Sequence, residues 1–302
     1  MASKEIAAVL PEKVEQQKTP SAWRIMWHEL RRDKLAMGSV ILLLVILLVA
    51  YLAPLFLSQT RITNVDILAI KDPPSMTHLL GTDGAGRDVF GELIIGCRNS
   101  FTIGFCITLL ASLIGVFIGL VGGYFGGLID NIFMRLLDFV ITLPFLMIII
   151  AFMAIRPRFS MTAFIVIFTA FIWPTMARLV RSKTLAERQM DYVAASRSLG
   201  TPNWKIILFQ VLPNVVSIII INFTLELAGN IGIESGLSYL GFGLPPSTPS
   251  LGTLISYATD PDTIQYKWWI WLPASVLILV LMLSINFVGQ ALKRSADAKQ
   301  RT

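Results

Sequence analysis

Six apolar runs, each close to or above 20 residues in length, dominate this sequence. A helix must present about 20 consecutive apolar residues to cross the hydrocarbon core of a bilayer. In lipid the backbone must also satisfy its own hydrogen bonds, which leaves helices as the simplest spanning element. The sequence therefore predicts an all-α, polytopic membrane protein with six transmembrane helices, at 35–57, 101–124, 132–155, 161–180, 215–236 and 268–292.

Composition agrees with this class. Hydrophobic residues make up 55% of the chain and charged residues 15%, against about 25% charged residues in soluble domains. The net charge of +6 is typical of cytoplasmic loops in a membrane protein rather than of nucleic-acid binding. Two cysteines, Cys97 and Cys106, and two histidines predict neither a disulfide framework nor a metal site.

The lysine and arginine distribution predicts the orientation. Most of the 25 basic residues fall in the N-terminal tail, the 181–214 region and the C-terminal tail. By the positive-inside rule these regions are cytoplasmic, and an even number of spans agrees with both termini lying on one side. The first apolar run begins too late and is too long for a secretory signal peptide.

These features divide the chain into consecutive parts. Residues 1–34 form a cytoplasmic tail, in which 23–34 reads as an amphipathic surface helix or, alternatively, as a plain basic flank. The first span, 35–57, precedes an extracytoplasmic segment, 58–99. Residues 100–292 form a core of five spans interrupted by the cytoplasmic loop 181–214, and 293–302 are a cytoplasmic tail.

Glycine and proline mark the spans. Gly115, Gly119 and Gly123 recur at intervals of four and predict a helix stripe where another backbone approaches closely. Prolines inside four of the spans predict kinks that neighbouring helices absorb, at Pro54, Pro144, Pro174 and Pro273.

Catalytic motifs are missing from the sequence. There is no GxxxxGK[ST] loop to hold ATP phosphates, no HExxH, no GxSxG, and too few histidines for a Ser/His/Asp set. We therefore expect a protein that is not an enzyme, with no metal and no cofactor of its own.

Polar residues inside the predicted spans are the remaining functional candidates, since each is costly at bilayer depth. Asp138 lies in the third span. In the fifth span Asn222, Glu226, Asn230 and Glu234 recur every four residues and share one slowly winding helix face. That face either lines a wet translocation pathway or subunit interface, or joins helices through polar contacts.

The polar stretch Asp191–Asn214, DYVAASRSLGTPNWKIILFQVLPN, lies between two spans. It predicts a helix from Tyr192, a break at Gly200-Thr201-Pro202, and a short amphipathic helix that stops at Pro213. A helix-turn-helix at the membrane surface suggests a segment that is presented to a partner.

Here the sequence resembles the inner permease subunits of ATP-binding-cassette importers for peptides and nickel. The signature loop of that family reads EAA, three residues, Gly, nine residues, then I-x-L-P. Ala194-Ala195-Ser196, Gly200 and Leu212-Pro213 fall at these spacings, whereas Ala194 replaces the acidic residue and Gln210 the isoleucine. The resemblance implies an ATPase-coupling loop with candidate residues Asp191, Tyr192, Ala194, Ala195, Ser196, Gly200, Trp204 and Pro213.

Three further stretches carry the same resemblance: HLLGTDGAGRD at 78–88, MRLLDFVITLP at 134–144 and ESGLSYLGFGLPPSTPSLG at 234–252. The first is similar to the external loop of the peptide/nickel branch, and contributes the candidates Gly81, Thr82, Asp83, Gly86, Arg87 and Asp88. Its alternative interpretation is a turn-rich loop that only packs, with Arg87 and Asp88 as a local pair.

The resemblance implies a type I importer permease in the cytoplasmic membrane, similar to the second permease of an oligopeptide or dipeptide system. Its implied partners are a second homologous permease, two ABC ATPase subunits that bind ATP and Mg²⁺, an extracytoplasmic peptide-binding protein and membrane lipid, with no nucleic acid. Nickel or another small solute is the alternative cargo. A self-sufficient secondary transporter or channel is the competing class, although the halves show no convincing internal repeat.

Overall fold

The computed structural model describes residues 31, 33–56, 65–155, 160–245 and 247–299. The predicted amphipathic helix at 23–34 lies almost wholly outside them. The described elements are helical: α1 (Lys34–Phe56), α2 (Val89–Phe125), α3 (Gly127–Thr142), α4 (Phe145–Ile155), α5 (Met161–Glu187), α6 (Asp191–Ser198), α7 (Asn203–Ile206), α8 (Leu212–Tyr239), α9 (Leu251–Ser256), α10 (Pro261–Tyr266) and α11 (Trp268–Lys299).

Five of the helices are long and apolar enough to cross a membrane, and the bent pair α3–α4 supplies a sixth span. The all-α, six-span architecture predicted from the sequence is thereby confirmed for the described part of the chain. We call the end of the bundle that carries residues 181–214 the basic end, and the end that carries 65–88 the opposite end.

Helices α2 and α5 form the central pair of the bundle, and the glycine stripe explains their closeness. A Cβ on Gly115 or Gly119 would lie 2.7 Å from the Cβ of Met176 or Val180, and one on Gly123 would lie 2.8 Å from that of Thr184. The backbones can approach this closely only because the stripe has no side chains. The predicted close approach at the glycine stripe is confirmed.

The third predicted span has the kink that Pro144 predicts, and the helix breaks completely there. The break lies between α3 and α4, whose axes differ by 67°. The cause is Pro144, which has no N–H to donate and which pushes the preceding Leu143 into an extended conformation (φ −73°, ψ 133°). The other three prolines lie inside the helices α1, α5 and α11.

The predicted helix stop at Pro213 is wrong. The chain passes from α7 through a π-helical turn, Ile207–Val211, directly into α8, where Pro213 occupies the first turn. A π turn removes the usual i to i−4 pairing just before the proline, so its missing N–H interrupts no regular hydrogen bond. The fifth span is therefore continuous with the segment at the basic end.

Two spans are longer than their apolar runs. Helix α2 begins at Val89, well before the predicted start at residue 101, because Asp88 caps it by accepting a hydrogen bond from the backbone N–H of Gly91 at 2.8 Å. Helix α11 continues past residue 292. Polar residues extend these helices, and a hydropathy pattern alone does not detect such extensions.

Candidate functional site

The segment 191–214 at the basic end is anchored by a few fully buried side chains. Val193, Ile206 and Val211 have no exposed surface and pack in one cluster with residues of α2 and α5, among them Tyr124 and Val180. Burial of three aliphatic side chains stabilises the docked segment by several kcal/mol, at roughly 1.5–3 kcal/mol each. The segment is therefore packed onto the bundle, against α2 and α5.

Gly200 forms the turn between α6 and α7. Its φ is +76°, in the left-handed region that glycine adopts without strain. The N–H of Thr201 donates to the carbonyl of Ser196 at 3.0 Å, which closes the end of α6. A Cβ built on Gly200 would meet open space, so backbone conformation rather than crowding requires glycine here.

Polar contacts connect the segment to the bundle on the α2 side. The Arg197 guanidinium stacks over the Tyr124 ring at 4.7 Å, and its Nε donates to the Tyr124 hydroxyl at 3.2 Å. That hydroxyl donates to Asn203 Oδ1 at 2.9 Å. One tyrosine of α2 thus contacts both arms of the helix-turn-helix.

A second tyrosine, Tyr192, closes the other side of the segment. Its hydroxyl donates to Glu187 Oε2 at 2.7 Å and accepts from Asn214 Nδ2 at 3.0 Å. Partial burial and the hydrogen bond to Glu187 raise the pKa of Tyr192 to about 12, so the phenol stays neutral at physiological pH. These bonds join the end of α5 to the beginning of α8.

Large apolar side chains on the outer surface of the segment stay uncovered. Leu199 is 85% exposed and Trp204 55% exposed, and Met190 is also exposed. Of the predicted coupling residues, Ser196 is half-buried and the others are exposed: Asp191, Tyr192, Ala194, Ala195, Gly200, Trp204 and Pro213. Exposed apolar side chains on a segment that is anchored to the bundle are typical of a protein-docking surface. We call Met190, Leu199 and Trp204 the apolar patch.

The motif 78–88 at the opposite end differs from the 191–214 segment, because it buries polar side chains instead of aliphatic ones. Thr82 and Asp83 are fully buried. The Thr82 hydroxyl donates to the carbonyl of Ala69 and accepts from the N–H of Asp72 at 2.8 Å. Asp83 accepts hydrogen bonds at 2.8 Å from the N–H groups of Ala85 and Arg87.

Two glycines of this motif, Gly81 and Gly86, are tightly enclosed. Gly81 has φ +67° and Gly86 has φ +75°. A Cβ on Gly86 would lie 1.9 Å from the carbonyl oxygen of Asp66, and one on Gly81 would lie 2.5 Å from that of Asp72. Both positions therefore need glycine for conformation and for space.

The two charged residues at the end of the motif pair with different partners. Arg87 Nη1 lies 3.2 Å from Glu92 Oε1, and Asp88 pairs with His78 at 3.2 Å while capping α2. These contacts fix the first turns of α2 against the loop.

Long-range contacts connect the motif to residues 257–267, which no sequence pattern singles out. The Tyr257 hydroxyl donates to Asp83 Oδ2 at 2.8 Å, and the pKa of Tyr257 is raised by burial and by the Asp83 charge. Lys71 Nζ lies 2.7 Å from Asp260 Oδ2; this hydrogen bond lowers the pKa of Asp260 to about 2. The partners are more than 170 residues apart, so sequence spacing contains no signal for them. We call this network the clamp, comprising Lys71, Asp83, Tyr257 and Asp260.

The polar residues of α8 do not share one environment. Glu234 is fully buried and accepts from the hydroxyls of Ser100 at 2.9 Å and Ser238 at 3.0 Å. Ser100 in turn accepts from the N–H of Leu251, at the start of α9. This carboxylate therefore joins α2, α8 and α9 in a sealed junction.

Further along α8, Asn230 is buried and donates to the Thr108 hydroxyl at 2.9 Å, whereas Asn222 donates to its own helix at the Ile218 carbonyl. Both carboxylate oxygens of Glu226 are covered yet have no hydrogen-bond partner within the described residues. Glu226 thus differs from Glu234, although the two residues have the same spacing and the same interpretation from sequence.

Asp138, the remaining candidate, lies on α3 and pairs with Arg178 of α5 at 3.0 Å. Their side chains are 66% and 57% exposed. The two residues are 40 positions apart, so their contact cannot be read from sequence spacing. Within the described residues no group of three or more metal-ligating side chains occurs.

Two family models match the sequence. Residues 111–301 match the family described as binding-protein-dependent transport system inner membrane component. Residues 21–74 match the N-terminal transmembrane domain of oligopeptide transport permease C.

Several curated proteins are similar over nearly the whole chain. The oligopeptide transport system permease OppC of Lactococcus lactis subsp. cremoris (strain SK11) is 48% identical over 91% of this chain and 94% of that protein. OppC of Bacillus subtilis (strain 168) is 35% identical over 94% of this chain and 92% of its own length. The dipeptide permease DppC of the same organism is 34% identical over 91% and 85%.

One solved structure shares the fold. The MetNI methionine ABC transporter in an inward-facing conformation aligns with a TM-score of 0.53 at 22% identity, over 68% of this chain and 95% of that chain. At this identity the likeness concerns the fold alone.

Proposed function

This chain belongs to the inner-membrane components of binding-protein-dependent transport systems and is an ABC transporter permease of the cell membrane, and we propose that it translocates oligopeptides. Peptide cargo is supported by relatives named as oligopeptide and dipeptide permeases, each aligned over most of both chains. We propose further that both termini and the 181–214 loop face the cytoplasm, as the basic residues indicate.

The observation that carries the coupling role is the apolar patch on a rigidly anchored helix-turn-helix. We propose that Leu199 and Trp204 insert into a groove of an ABC ATPase subunit. Two such subunits would bind ATP and Mg²⁺, because this chain has no phosphate-binding loop of its own. Aromatic and aliphatic side chains that protrude in this way are typical anchors of protein interfaces.

The anchoring explains how an ATPase movement reaches the membrane. Val193 and Ile206 pack against α2 and α5, and the π turn joins the segment to α8 without a break. A displacement of the patch therefore displaces three spans. Such a lever biases a two-state equilibrium only if the docked partner binds the two states with different affinity.

A second, homologous permease completes the proposed pathway. The exposed Asp138 and the unpartnered Glu226 are candidates to face water or peptide, because an exposed or unpaired charge in a span is costly against lipid. Asn222 lies on the same helix as Glu226. Asn230 and Glu234 make their contacts between helices of this chain, which supports a role in holding the pathway walls.

An extracytoplasmic peptide-binding protein is the proposed partner at the opposite end. Since Thr82 and Asp83 are buried, the motif 78–88 supports the surface rather than forming it. Neighbouring exposed side chains, such as Met76 at 99% exposure, are available for contact.

Affinity purification of the tagged chain in mild detergent, followed by mass spectrometry, tests the assembly. We expect a second permease and proteins with Walker motifs to co-purify, and the reconstituted assembly to accumulate labelled oligopeptides only with ATP. A clean homo-oligomer that takes up solute without any ATPase would contradict the proposal and indicate a secondary transporter. ATP-driven uptake of nickel without peptide uptake would refute the peptide cargo alone.

A further inference from the structure

The bent span α3–α4 buries few side chains against the rest of the bundle at the basic end. Of the sixteen residues of α3, only Asp130 and Leu137 are buried. Apolar side chains elsewhere along the helix, such as Leu128 and Phe139, are exposed. A helix with so few buried contacts belongs to the low-stability, movable part of a fold.

The ion pair between Asp130 and Arg181 is the main polar contact between α3 and α5. Arg181 of α5 holds Asp130 with two parallel hydrogen bonds, Nε to Oδ1 at 2.5 Å and Nη2 to Oδ2 at 2.6 Å. This two-pronged geometry fixes both direction and distance, which a single contact does not. Gly122 of α2 provides space for the Asp130 carboxylate, because a Cβ on Gly122 would lie 3.2 Å from Asp130 Oδ1.

Arg181 belongs to the same rigid unit as the 191–214 segment. Its backbone lies against the glycine stripe of α2, where a Cβ on Gly123 would come 2.9 Å from the Arg181 carbonyl oxygen. The adjacent Val180 shares a core cluster with Val193 of the segment. A displacement of the segment that moves α5 therefore moves the guanidinium and pulls on Asp130.

The other end of α3, where it meets α4, can change its angle. Leu143 is extended and Pro144 donates no hydrogen bond, so the 67° bend between α3 and α4 falls at a short non-helical break. A change of angle at this position breaks few backbone hydrogen bonds. Conformational changes of this kind use a few element-terminal residues as hinges.

We propose that the Asp130–Arg181 pair is the joint through which the 191–214 segment moves the bent span, with Leu143–Pro144 as its hinge. Asp130 and Arg181 are then positioning residues of the transport cycle: they touch neither ATP nor peptide, and they determine how much ATPase movement reaches the α3 wall. This inference rests on the proposed permease function, and its failure would leave that function intact.

A second Asp–Arg pair on the same two helices supplies a matched control. Asp138 and Arg178 also join α3 to α5, but through one 3.0 Å hydrogen bond between largely exposed side chains. Exposed pairs contribute little, typically about 0–1 kcal/mol. Replacing Arg178 by Gln breaks this second pair without removing the proposed joint.

The test measures peptide uptake and ATP hydrolysis together in the reconstituted transporter. In Asp130→Asn we expect the number of peptides taken up per ATP to fall roughly tenfold, within the range that mutations exert on coupling between sites. ATP hydrolysis continues, and Arg178→Gln stays within about twofold of the wild type. The reversed pair, Asp130→Arg with Arg181→Asp, should regain most of the lost ratio.

The inference is overturned if Asp130→Asn keeps the wild-type ratio, or if Arg178→Gln lowers it as much. A wild-type assembly without ATP-driven peptide uptake would instead refute the proposed function. Should the Asn variant fail to assemble, the reversed pair alone decides: assembly with an unrecovered ratio contradicts a joint.

A distance measurement keeps the test independent of activity. Spin labels at Phe139 on α3 and Leu113 on α2, both exposed positions, report the separation of the bent span from the rigid unit. We expect ATP to shift this distance in the wild type and in Arg178→Gln but not in Asp130→Asn. An equal shift in all three proteins would show that the pair transmits no movement.

Discussion

The 191–214 segment and the clamp lie at opposite ends of the bundle and each contains residues of a sequence motif, yet they use their residues in opposite ways. The segment buries aliphatic side chains such as Val193 and Ile206 and leaves Leu199 and Trp204 exposed. The clamp buries Asp83 and satisfies it internally with Tyr257 and backbone N–H groups.

The difference teaches that a motif can mark a contact surface or the scaffold behind one. Exposed motif residues such as Trp204 are free to meet a partner, so their loss should change binding more than folding. Buried motif residues such as Asp83 have no free hydrogen-bonding capacity to offer, so their loss should change folding first. Substitutions in the exposed apolar patch should therefore weaken partner binding, whereas substitutions in the buried clamp should lower stability.

The largest expected effect is on stability, from Asp83→Ala in the clamp. The change removes three hydrogen bonds to a buried carboxylate, and we expect a loss of roughly 3 kcal/mol or more. The thermal unfolding midpoint of the detergent-solubilised protein should fall by on the order of 5–10 °C. Met76→Ala, on a fully exposed neighbour, serves as the control and should leave the midpoint unchanged. An Asp83→Ala protein with the wild-type unfolding midpoint would contradict the view that the buried motif residues mainly stabilise the fold.

The next effect is on binding, from Trp204→Asp in the apolar patch. A hot-spot aromatic contributes about 2 kcal/mol or more, which corresponds to a roughly 30-fold weaker interaction with the ATPase. The unfolding midpoint should stay near the wild-type value because Trp204 is more than half exposed. Ile206→Asp, at a fully buried position nearby, should instead unfold the segment. If Trp204→Asp leaves ATPase affinity untouched, the patch is not the docking surface.

A smaller effect is expected from Gly200→Val at the turn. A branched side chain at φ +76° costs about 1–2 kcal/mol, although it meets no atoms. We expect the turn to shift and peptide uptake to fall about tenfold, within the usual range of coupling effects, while the spans stay folded. Uptake by proteoliposomes and the circular dichroism of the same sample separate the two outcomes. Unchanged uptake would show that the turn's geometry is not used.

The smallest effect is the pH dependence of the clamp. Lys71 lowers the pKa of Asp260 to about 2 from its ordinary 3.8, so the folded state prefers the ionised form. Its contribution is present above pH 3.8 and is lost as the pH falls through about 2. The hydrogen-exchange protection factor of the Lys71 amide, which donates to the Asp83 carbonyl, should fall over that range. Lys71→Met should abolish this step, and a persistent step would assign it to another acid.

Much of the fold can be predicted from local sequence. Apolar length predicts the spans, the stripe from Gly115 to Gly123 predicts a close helix contact, and Pro144 predicts a kink. The size of the bend at Pro144 was not predictable, and the stop at Pro213 was wrong, because both depend on backbone geometry: a sharp bend in one case and a π turn in the other.

The candidate sites were less predictable, since partners distant in sequence decide what each polar residue does. Glu226 and Glu234 share a helix and a spacing, but only Glu234 meets serines of α2 and its own helix. Asp130 carries no signal in the sequence, because its partner Arg181 lies 51 residues away. Spacing along one helix places such residues on a face but does not show what covers it.

Photo-crosslinking from two positions tests the central claim most directly. A photoreactive residue at Trp204, in cells that express the whole assembly, should capture a protein with Walker motifs, whereas one at Met76 should capture none. Crosslinks from Trp204 to an ATPase, with no ATPase linked to Met76, would establish the segment as the ATPase contact. An ATPase captured from Met76, or none captured from Trp204 in an assembly that transports peptide, would contradict both the orientation and the coupling role.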